Sequence, residues 1–511
     1  MKKLIKGILI LIGVIILTII VGAVALVIAV RDTSDRTIPA VREANLDLSA
    51  FLHREAVKTL DGADERSDLS LLLNEYEMNE LLFAIASDTD IPMVRPVGAY
   101  AAYGEDGSLS VEIPLRVAGI APTCIKGTLK VAYTDQVMTL TVANASIGRF
   151  DCTSGLIRTF FLNTSNEKRF QKQLEAEGFH GKLNLRSLSL TMTSAEIAQT
   201  VSALTEDDPN HLLYALLCDI SLNSPDILEF SFGENRLYGV ILHADHLAYD
   251  PARDGELSYP LDLDSAAANT QALSENGLTR ENVSPVFHYY TSGYRALNDS
   301  EKAAVDALGL PENGLGVRTV TPLTMAEVLA DQSGSLVASI LNRAVTLTVS
   351  EQQMNTILAG LNIIGSGAAF YYDGKVAYLA LEDIDVVPEN RALAITVVLN
   401  VGGKRLCGHI SADCPDSDRM ALDAEITELR LGEKVMSSER TSLFLQYLDG
   451  VLASQNWICA DAQTETLTID LGAVLTEQSE FAALLRFDST IAMQCRKTAG
   501  NGQLQLLFHL I

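Results

Sequence analysis

The chain has 511 residues and a formal net charge of −27 at pH 7, from 65 Asp and Glu against 38 Lys and Arg. A surface this negative repels phosphate backbones and anionic lipid headgroups, so it excludes a protein that binds nucleic acid through its phosphates. The length is enough for two or three domains.

The first predicted element is a membrane-spanning helix over residues 8–30. Three lysines, at positions 2, 3 and 6, precede an apolar run that ends before Arg31. At about 1.5 Å per residue the run spans roughly 35 Å, enough to cross a hydrocarbon core with some tilt. The lysines favour a cytoplasmic tail at residues 1–7 and an extracytoplasmic location for the chain after the helix.

This pattern predicts a single-pass protein of the cell membrane, with a juxtamembrane linker or helix at residues 31–66. One alternative is a signal peptide cleaved near Ala25, which is disfavoured because the apolar run continues to Val30. Another is a buried core helix, which is disfavoured because the run is apolar all round. No second run in the sequence approaches the length of a membrane span.

A strand-to-helix motif occurs twice, at residues 71–82 and 347–358, with a constant offset of 276 positions. In each copy a good cap residue, Asn74 or Ser350, stands before the helix, and a Glu or Gln follows three residues later. That spacing is typical of a capping box, in which two side chains satisfy the first free backbone amides of a helix. The motif therefore indicates an internal duplication.

The segments after the two motifs also match. Each continues with three strands of alternating apolar residues, which predict an antiparallel meander, and then an apolar-Gly step at 147–148 or 431–432. A helical stretch and a closing strand follow in both. We therefore predict an α+β fold with two helix–antiparallel-meander–helix–strand modules, module A at residues 67–204 and module B at 341–511.

The pattern resembles the YpmS-like family of small membrane-anchored proteins from Gram-positive bacteria. The resemblance rests on the predicted anchor, on the closing strand at 467–471 and on a Glu/Gln-x-Asn-x-x-Leu core in each motif. It covers residues 67–204 and 341–475 and implies a protein without a catalytic motif. Family members usually hold one module, whereas this chain holds two and an insertion. The core residues are Glu77, Asn79 and Leu82 in the first copy and Gln353, Asn355 and Leu358 in the second.

Asn79 and Asn355 occupy the same place in both copies. They could contact a ligand at the mouth of each module. The favoured alternative is structural: a polar side chain that ties the helix to an adjacent strand, since buried polar groups are normally hydrogen-bonded.

Residues 205–340 do not fit the repeat and predict an α+β connecting segment or a third small domain. The His-x-x-His motif at 243–246 predicts a strand exit rather than a metal site, because residues three apart on a strand point to opposite faces. The acidic stretch at 249–256 lacks calcium-loop spacing and predicts a solvated hairpin turn. The glycines at 365–367 predict a helix stop, and the aromatic residues at 287–294 favour core packing over a glycan or partner site.

Seven cysteines are present, without a C-x-x-C pair. An extracytoplasmic location permits disulfides, and the odd count leaves at least one thiol unpaired. The sequence leaves the pairing open.

The function predicted from these features is a non-catalytic binding or scaffold module of the cell envelope, with a lipid or an envelope protein as its partner. One alternative is an envelope hydrolase with a site in residues 205–340, marked by two carboxylates or a His of shifted pKa. Another is a structural or regulatory partner of a membrane complex that makes contact through residues 8–30. The sequence predicts no catalytic residue, no metal site and no cofactor.

Overall fold

The structure is a computed structural model. The residues that it describes are 47–87, 94–104, 108–117, 121–134, 137–148, 150–151, 153, 164–176, 178–204, 211–232, 237–310, 323, 327–328, 331–332, 344–360, 364–418, 421–452, 458–470, 489–498 and 501–510. The fold is α+β, as predicted.

The predicted membrane-spanning helix at residues 8–30 lies outside the described residues. Among the residues that are described, no helix is both long and apolar enough to cross a membrane. The longest of these, Ser438–Leu452, has 15 residues, which at 1.5 Å per residue reach about 22 Å against roughly 30 Å of hydrocarbon. This finding contradicts the prediction of a single-pass membrane protein, which depended on the hydropathy of one run.

The described chain forms two compact units. Unit 1 contains the described residues up to Phe51 and from Ser70 to Leu242, and unit 2 those from Leu52 to Leu69 and from His243 onward. The boundary falls within the first described helix, α1 (Leu48–Leu60). The segment 205–340, predicted to be a connecting segment or a third small domain, contributes described residues to both units.

Unit 1 alternates short helices with antiparallel strands. Its helices are α2 (Glu75–Ser87), α3 (Thr164–Ala176), α4 (Ser194–Leu204) and α5 (His211–Asn223). Its strands are β1 (Leu69–Asn74), β2 (Val94–Pro96), β3 (Tyr100–Tyr103), β4 (Ser108–Val117), β5 (Ala121–Thr134), β6 (Val137–Ile147), β7 (Phe150–Asp151), β8 (Lys182–Asn184), β9 (Ser189–Thr193), β10 (Leu228–Phe232) and β11 (Leu237–Leu242).

The main sheet of unit 1 has the order β2-β4-β5-β6-β9-β8, with β3 beside β4 and β7 beside β6, and a smaller sheet has the order β1-β11-β10. Val111, Ile113 and Ile125 belong to a buried cluster on the meander β4-β5-β6. A second cluster joins Leu174 of α3 and Val201 of α4 to the closing strands β8 and β9. The period-2 alternation that predicted these strands thus reflects one buried sheet face.

Unit 2 contains a longer set of elements. Its helices are α6 (Ala244–Leu247), α7 (Pro251–Asp254), α8 (Leu263–Gln271), α9 (Val283–Ser292), α10 (Asp299–Ala307), α11 (Glu351–Ala359) and α12 (Ser438–Leu452). Its strands are β12 (Ala344–Ser350), β13 (Gly367–Tyr372), β14 (Lys375–Glu389), β15 (Ala392–Val401), β16 (Lys404–Asp413), β17 (Ala421–Leu431), β18 (Lys434–Val435), β19 (Ile458–Asp461), β20 (Thr466–Asp470), β21 (Ser489–Thr498) and β22 (Asn501–Leu510).

The main sheet of unit 2 has the order β13-β14-β15-β16-β17-β20-β19, with β18 beside β17. A second sheet has the order β12-β22-β21 and contains the C-terminal hairpin. Helices α8 and α9 cover part of the main sheet, where Phe287 stacks on Tyr378 with ring centroids 5.0 Å apart. Phe287 and Tyr289 are buried, so the aromatic residues at 287–294 include core residues, as favoured from the sequence.

Both predicted capping boxes are present. The amide of Glu77 donates to Asn74 Oδ1 and the amide of Asn74 to Glu77 Oε2, each at 3.0 Å. Ser350 and Gln353 make the equivalent pair at 3.2 and 3.0 Å. Each box ends a strand and starts a helix at the position that the sequence indicated.

The two predicted apolar-Gly steps are tight turns between β6 and β7 and between β17 and β18. Gly148 and Gly432 have φ of 58° and 56°, a left-handed conformation that glycine adopts at the lowest cost. Their amides donate to the carbonyls of Cys124 (2.8 Å) and Cys407 (2.7 Å). A Cβ at position 432 would lie 2.0 Å from the carbonyl oxygen of His246, so this turn requires glycine on two counts.

Candidate functional site

Asn79, the first of the two repeat asparagines, binds the edge of a strand. It lies on α2 and is 3% exposed. Its side-chain amide donates to the carbonyl of Ala101 (2.8 Å), and its Oδ1 accepts from the amide of Ala101 (2.6 Å). Ala101 lies on β3 and faces Val111 of β4 in the antiparallel ladder. The side chain therefore replaces a neighbouring strand at an edge that would otherwise hold two unpaired backbone groups.

Asn355 lies on α11 at the same position of the second copy and is 2% exposed. Its Oδ1 accepts from the amide of Val386 (2.8 Å), and its side-chain amide donates to Ser258 Oγ (3.2 Å). Val386 lies on β14 and faces Ile395 of β15, as Ala101 faces Val111 in unit 1. Like Asn79, Asn355 accepts a hydrogen bond from a backbone amide of a strand. Its side-chain amide, however, donates to a side chain rather than to a backbone carbonyl.

These contacts are the tie between helix and strand that the structural interpretation of the two asparagines requires. A ligand contact at either position stays a prediction. Binding a ligand there would first have to break hydrogen bonds to buried backbone groups, each of which costs about 1–3 kcal/mol when left unpaired.

The His-x-x-His motif stands at the end of β11, as predicted, and enters the short helix α6. His243 Nδ1 lies 2.9 Å from Asp68 Oδ1, and His246 Nδ1 is hydrogen-bonded to Glu433. The two rings thus face different carboxylates. In the part of the chain that the structure describes, no group of His, Cys, Asp and Glu is arranged to hold a metal ion.

The acidic stretch at 249–256 is not the solvated hairpin turn that was predicted. Asp250 accepts from the amide of Ala252 (2.9 Å), and Pro251 is the first helical residue of α7. An Asp cap followed by proline at the first position favours a helical turn over a hairpin.

Asp254, the last residue of α7, has a side chain with no exposed surface. It pairs with Arg253 (2.7 Å) and with Arg430 of β17 (2.8 Å). Burial alone raises the pKa of this carboxyl, but hydrogen bonds from Arg253, Asp250 and Arg430 outweigh it and hold the pKa well below its usual range. The sequence could not indicate this pair, because 176 positions separate Asp254 from Arg430.

Glu382 introduces a second buried charge, where the β14–β15 ladder shifts register between Leu381 and Asp383. Its side chain has no exposed surface and bonds to Arg405, with Nη2 at 2.7 Å and Nε at 3.0 Å. Asn400 donates to the same carboxylate at 2.9 Å. The bulge directs this glutamate toward an arginine on β16, which satisfies a charge that burial would otherwise make costly.

The carboxylates of Asp383 and Asp385 accept hydrogen bonds from backbone amides in the segment between α7 and α8. Asp383 accepts from the amide of Tyr259 (3.0 Å) and Asp385 from the amide of Ser258 (2.9 Å). Burial, followed by the charge of Asp385, raises the pKa of Asp383 to about 6, and burial also raises the pKa of Asp385. One oxygen of Asp385, Oδ1, is buried without a hydrogen-bond partner. A proton on this pair would relieve the repulsion between the two carboxyls.

His409 of β16 lies between two hydroxyls, with Nδ1 3.1 Å from Thr396 Oγ1 and Nε2 3.2 Å from Ser411 Oγ. Burial and the charge of Arg430 lower its pKa, so the ring is neutral near pH 7. A neutral His beside a serine has the composition of a nucleophile and its base. No acid orients this ring, since Thr396 occupies the position that a carboxylate would take in a triad.

The hydrolase hypothesis required shifted carboxylates or a shifted His inside residues 205–340. Within that segment the pKa of Asp254 is lowered, but its carboxylate is paired with Arg253 and Arg430. Asp383, Asp385 and His409 also have shifted pKa values, but they belong to strands β14 and β16, outside that segment. The two carboxylates are 1% and 5% exposed and bind the protein's own backbone. The sequence signal for this cluster was available, since three acids at 382, 383 and 385 interrupt an apolar strand.

A pair of exposed leucines marks an apolar patch on the main sheet of unit 2. Leu379 and Leu399 are 40% and 43% exposed and lie on neighbouring strands, since Leu381 pairs with Leu399 and Leu379 with Val401. Residues two apart on a strand share a face, so both leucines project from one side of the sheet. We call Leu379 and Leu399 the β14–β15 apolar patch.

Comparison with protein-family models, with curated proteins and with solved structures found no match to this chain. The resemblance to the YpmS-like family therefore stays a prediction.

Proposed function

We propose that this chain is a non-catalytic binding or scaffold protein built from two copies of one α+β module, and that the β14–β15 apolar patch binds the acyl part of a neutral lipid. The modules correspond to residues 67–204 and 341–511. The cell-envelope location predicted from the sequence stays a prediction.

The duplication is supported by irregular features that a shared fold class does not require. The β5–β6 ladder skips Ala143, and the β16–β17 ladder skips Thr427, each as a bulge in the central hairpin. The offset between the bulges is 427 − 143 = 284, and the offset between the turn glycines is 432 − 148 = 284. Bulges are retained within families, so matching bulges favour a common origin.

The non-catalytic part of the proposal is carried by one observation: each buried polar side chain described at the candidate site makes at least one hydrogen bond within the chain. Asn79 and Asn355 hold strand edges, Asp254 is paired with two arginines, and Asp383 and Asp385 hold the amides of residues 258–259. Groups committed in this way stabilise the units and are not available to a substrate.

The choice of ligand rests on the difference between the two copies at one strand position. Leu399 corresponds to Leu115 by the offset of 284, yet Leu115 is 6% exposed and Leu399 is 43% exposed. The second copy therefore leaves an apolar surface uncovered where the first copy buries it. The net charge of −27 disfavours an anionic headgroup, so the amphiphile that suits this chain is neutral or zwitterionic.

The test is a titration of the full chain with a fluorescent phosphatidylcholine below its micelle concentration. We expect saturable binding by the natural chain and at least a tenfold loss of affinity in Leu399→Glu, because a carboxylate on the patch would have to be desolvated against an acyl chain. Val435→Glu is the matched control, since Val435 is 56% exposed on β18 and lies outside the patch. If both variants bound the lipid with equal affinity, the patch would not be the binding site. If the natural chain did not bind the lipid at all, the proposed lipid binding would be wrong.

A further inference from the structure

Two cysteines of unit 2 meet where the C-terminal hairpin packs against the main sheet. Cys414 directly follows β16, and Cys495 lies on β21. Both have 0% exposure, and both are free thiols. Neither cysteine takes part in the contacts described for the candidate site.

The backbones of both cysteines are hydrogen-bonded to Arg391. The amide of Cys414 donates to the carbonyl of Arg391 (2.8 Å), and the amide of Arg391 donates to the carbonyl of Cys495 (3.1 Å). Nearby, Ser417 and Met493 exchange two hydrogen bonds at 2.9 and 3.0 Å, as a pair of residues in an antiparallel ladder does. In such a pair the Cα atoms lie about 5.5 Å apart, so this bridge brings the chain that follows Cys414 alongside the strand that contains Cys495.

The thiols also interact electrostatically: the neighbouring Cys495 raises the pKa of Cys414, and Cys414 lowers the pKa of Cys495. Cys124 and Cys407, which occupy matching places in the two central hairpins, differ from this pair. Their thiols donate to backbone carbonyls, Cys124 to that of Ile125 (3.6 Å) and Cys407 to that of Gly408 (3.7 Å). Two buried thiols whose backbones bond to the same residue, and whose chain segments pair a few residues away, are placed where a disulfide bond can form.

We propose that Cys414 and Cys495 form a disulfide that fastens the C-terminal hairpin β21-β22 to the main sheet of unit 2. The hairpin is already paired to β12 through β22, so the bond links the two sheets of the unit covalently. The cross-link closes a long loop, and it stabilises the folded chain mainly by restricting the unfolded one.

The oxidant is a disulfide of low molecular weight, such as oxidised glutathione. The thiolate of one cysteine attacks this disulfide and releases the first small thiol, which leaves a mixed disulfide on the protein. The second cysteine then attacks the protein sulfur of the mixed disulfide and releases the second small thiol. The protein loses two electrons and two protons, and the oxidant becomes two thiols. Because both sulfurs are buried, the exchange takes place before the hairpin docks or while it is transiently open.

Peptide mapping of the full chain tests this proposal. The chain is purified reduced and equilibrated in a glutathione redox buffer, and the remaining thiols are alkylated before trypsin digestion without reductant. We expect one peptide that links residues 406–419 to residues 487–496 and that disappears after reduction. Since residues 406–419 also contain Cys407, the variants Cys407→Ala and Cys414→Ala are compared. The link should persist in the first and vanish in the second.

A stability measurement adds a readout that does not depend on mapping. Oxidised natural chain should lose several degrees of melting temperature on reduction, while the double variant Cys414→Ala with Cys495→Ala should show no change on reduction. A folded natural chain in which both cysteines are fully alkylated after equilibration overturns the proposal. A linked peptide that survives in Cys414→Ala overturns it as well, because the bond would then involve Cys407.

Discussion

Replacing Asn79 tests the role of the repeat asparagines most sharply. Asn79→Ala removes both partners of Ala101 at the edge of β3, and Asn79 is only 3% exposed, so water has little access. An unpaired buried backbone group costs about 1–3 kcal/mol, so two groups predict a loss of about 2–6 kcal/mol in the free energy of unfolding of unit 1. Asn355→Ala should cost about half as much, because only the amide of Val386 is orphaned and the Ser258 hydroxyl oxygen, which accepts from Asn355, can accept from another donor.

Asn79→Asp separates the hydrogen bonds from the volume of the side chain. At neutral pH the carboxylate still accepts from the amide of Ala101 but faces its carbonyl with a second negative oxygen. The loss should therefore approach that of the alanine variant. Protonation restores a donor toward the carbonyl, so stability of Asn79→Asp should recover as the pH falls, and that of Asn79→Ala should not.

Hydrogen exchange combined with urea unfolding is the assay. In Asn79→Ala the amide of Ala101 should lose protection and the unit 1 transition should move to lower urea, while protection in β14 stays unchanged. Unchanged protection of Ala101 in a folded variant would refute the reasoning, since the bond from Asn79 would then carry no stability.

Three further predictions concern unit 2. Because the pKa of Asp383 is about 6 in the folded chain against 3.8 ordinarily, stability should rise as the pH falls from about 6 to about 4, and the urea midpoints of Asp383→Asn should vary less across that window. Arg430→Met removes one of the two cations that neutralise the buried Asp254 and should lower the free energy of unfolding at pH 7 by about 3–5 kcal/mol in urea titrations, with a smaller loss if Arg253 suffices. Gly432→Ala should lower the melting temperature far more than Gly374→Ala. Both have positive φ, but only the first would place a Cβ against backbone, so equal effects would contradict this explanation.

Local signals predicted much of the fold. The capping boxes at Asn74 and Ser350, the alternating strands and the apolar-Gly turns were all predicted from short stretches of sequence, because each depends on neighbouring residues. The structural tie at Asn79 was also favoured from the sequence, although its partner Ala101 was not.

What sequence could not indicate depends on distant residues. The stretch at 249–256 was predicted to be solvated because it contains several acidic residues and no partner for them is evident nearby in the sequence. In the folded chain Arg430 of β17 neutralises Asp254 inside unit 2. The division of segment 205–340 between the two units, and the meeting of Cys414 with Cys495, follow from strand order in the folded chain rather than from any local pattern. The uncovered Leu399 likewise differs from its counterpart Leu115 through tertiary packing, since both are leucine.

Native mass spectrometry of the full chain, released gently from the cells that produce it, tests the proposed function most directly. The account predicts a protein that carries the added mass of one neutral lipid and that loses it in Leu399→Glu but keeps it in Val435→Glu. A folded natural chain that retains only its own mass, both as isolated and after incubation with phosphatidylcholine, would contradict lipid binding at the β14–β15 apolar patch.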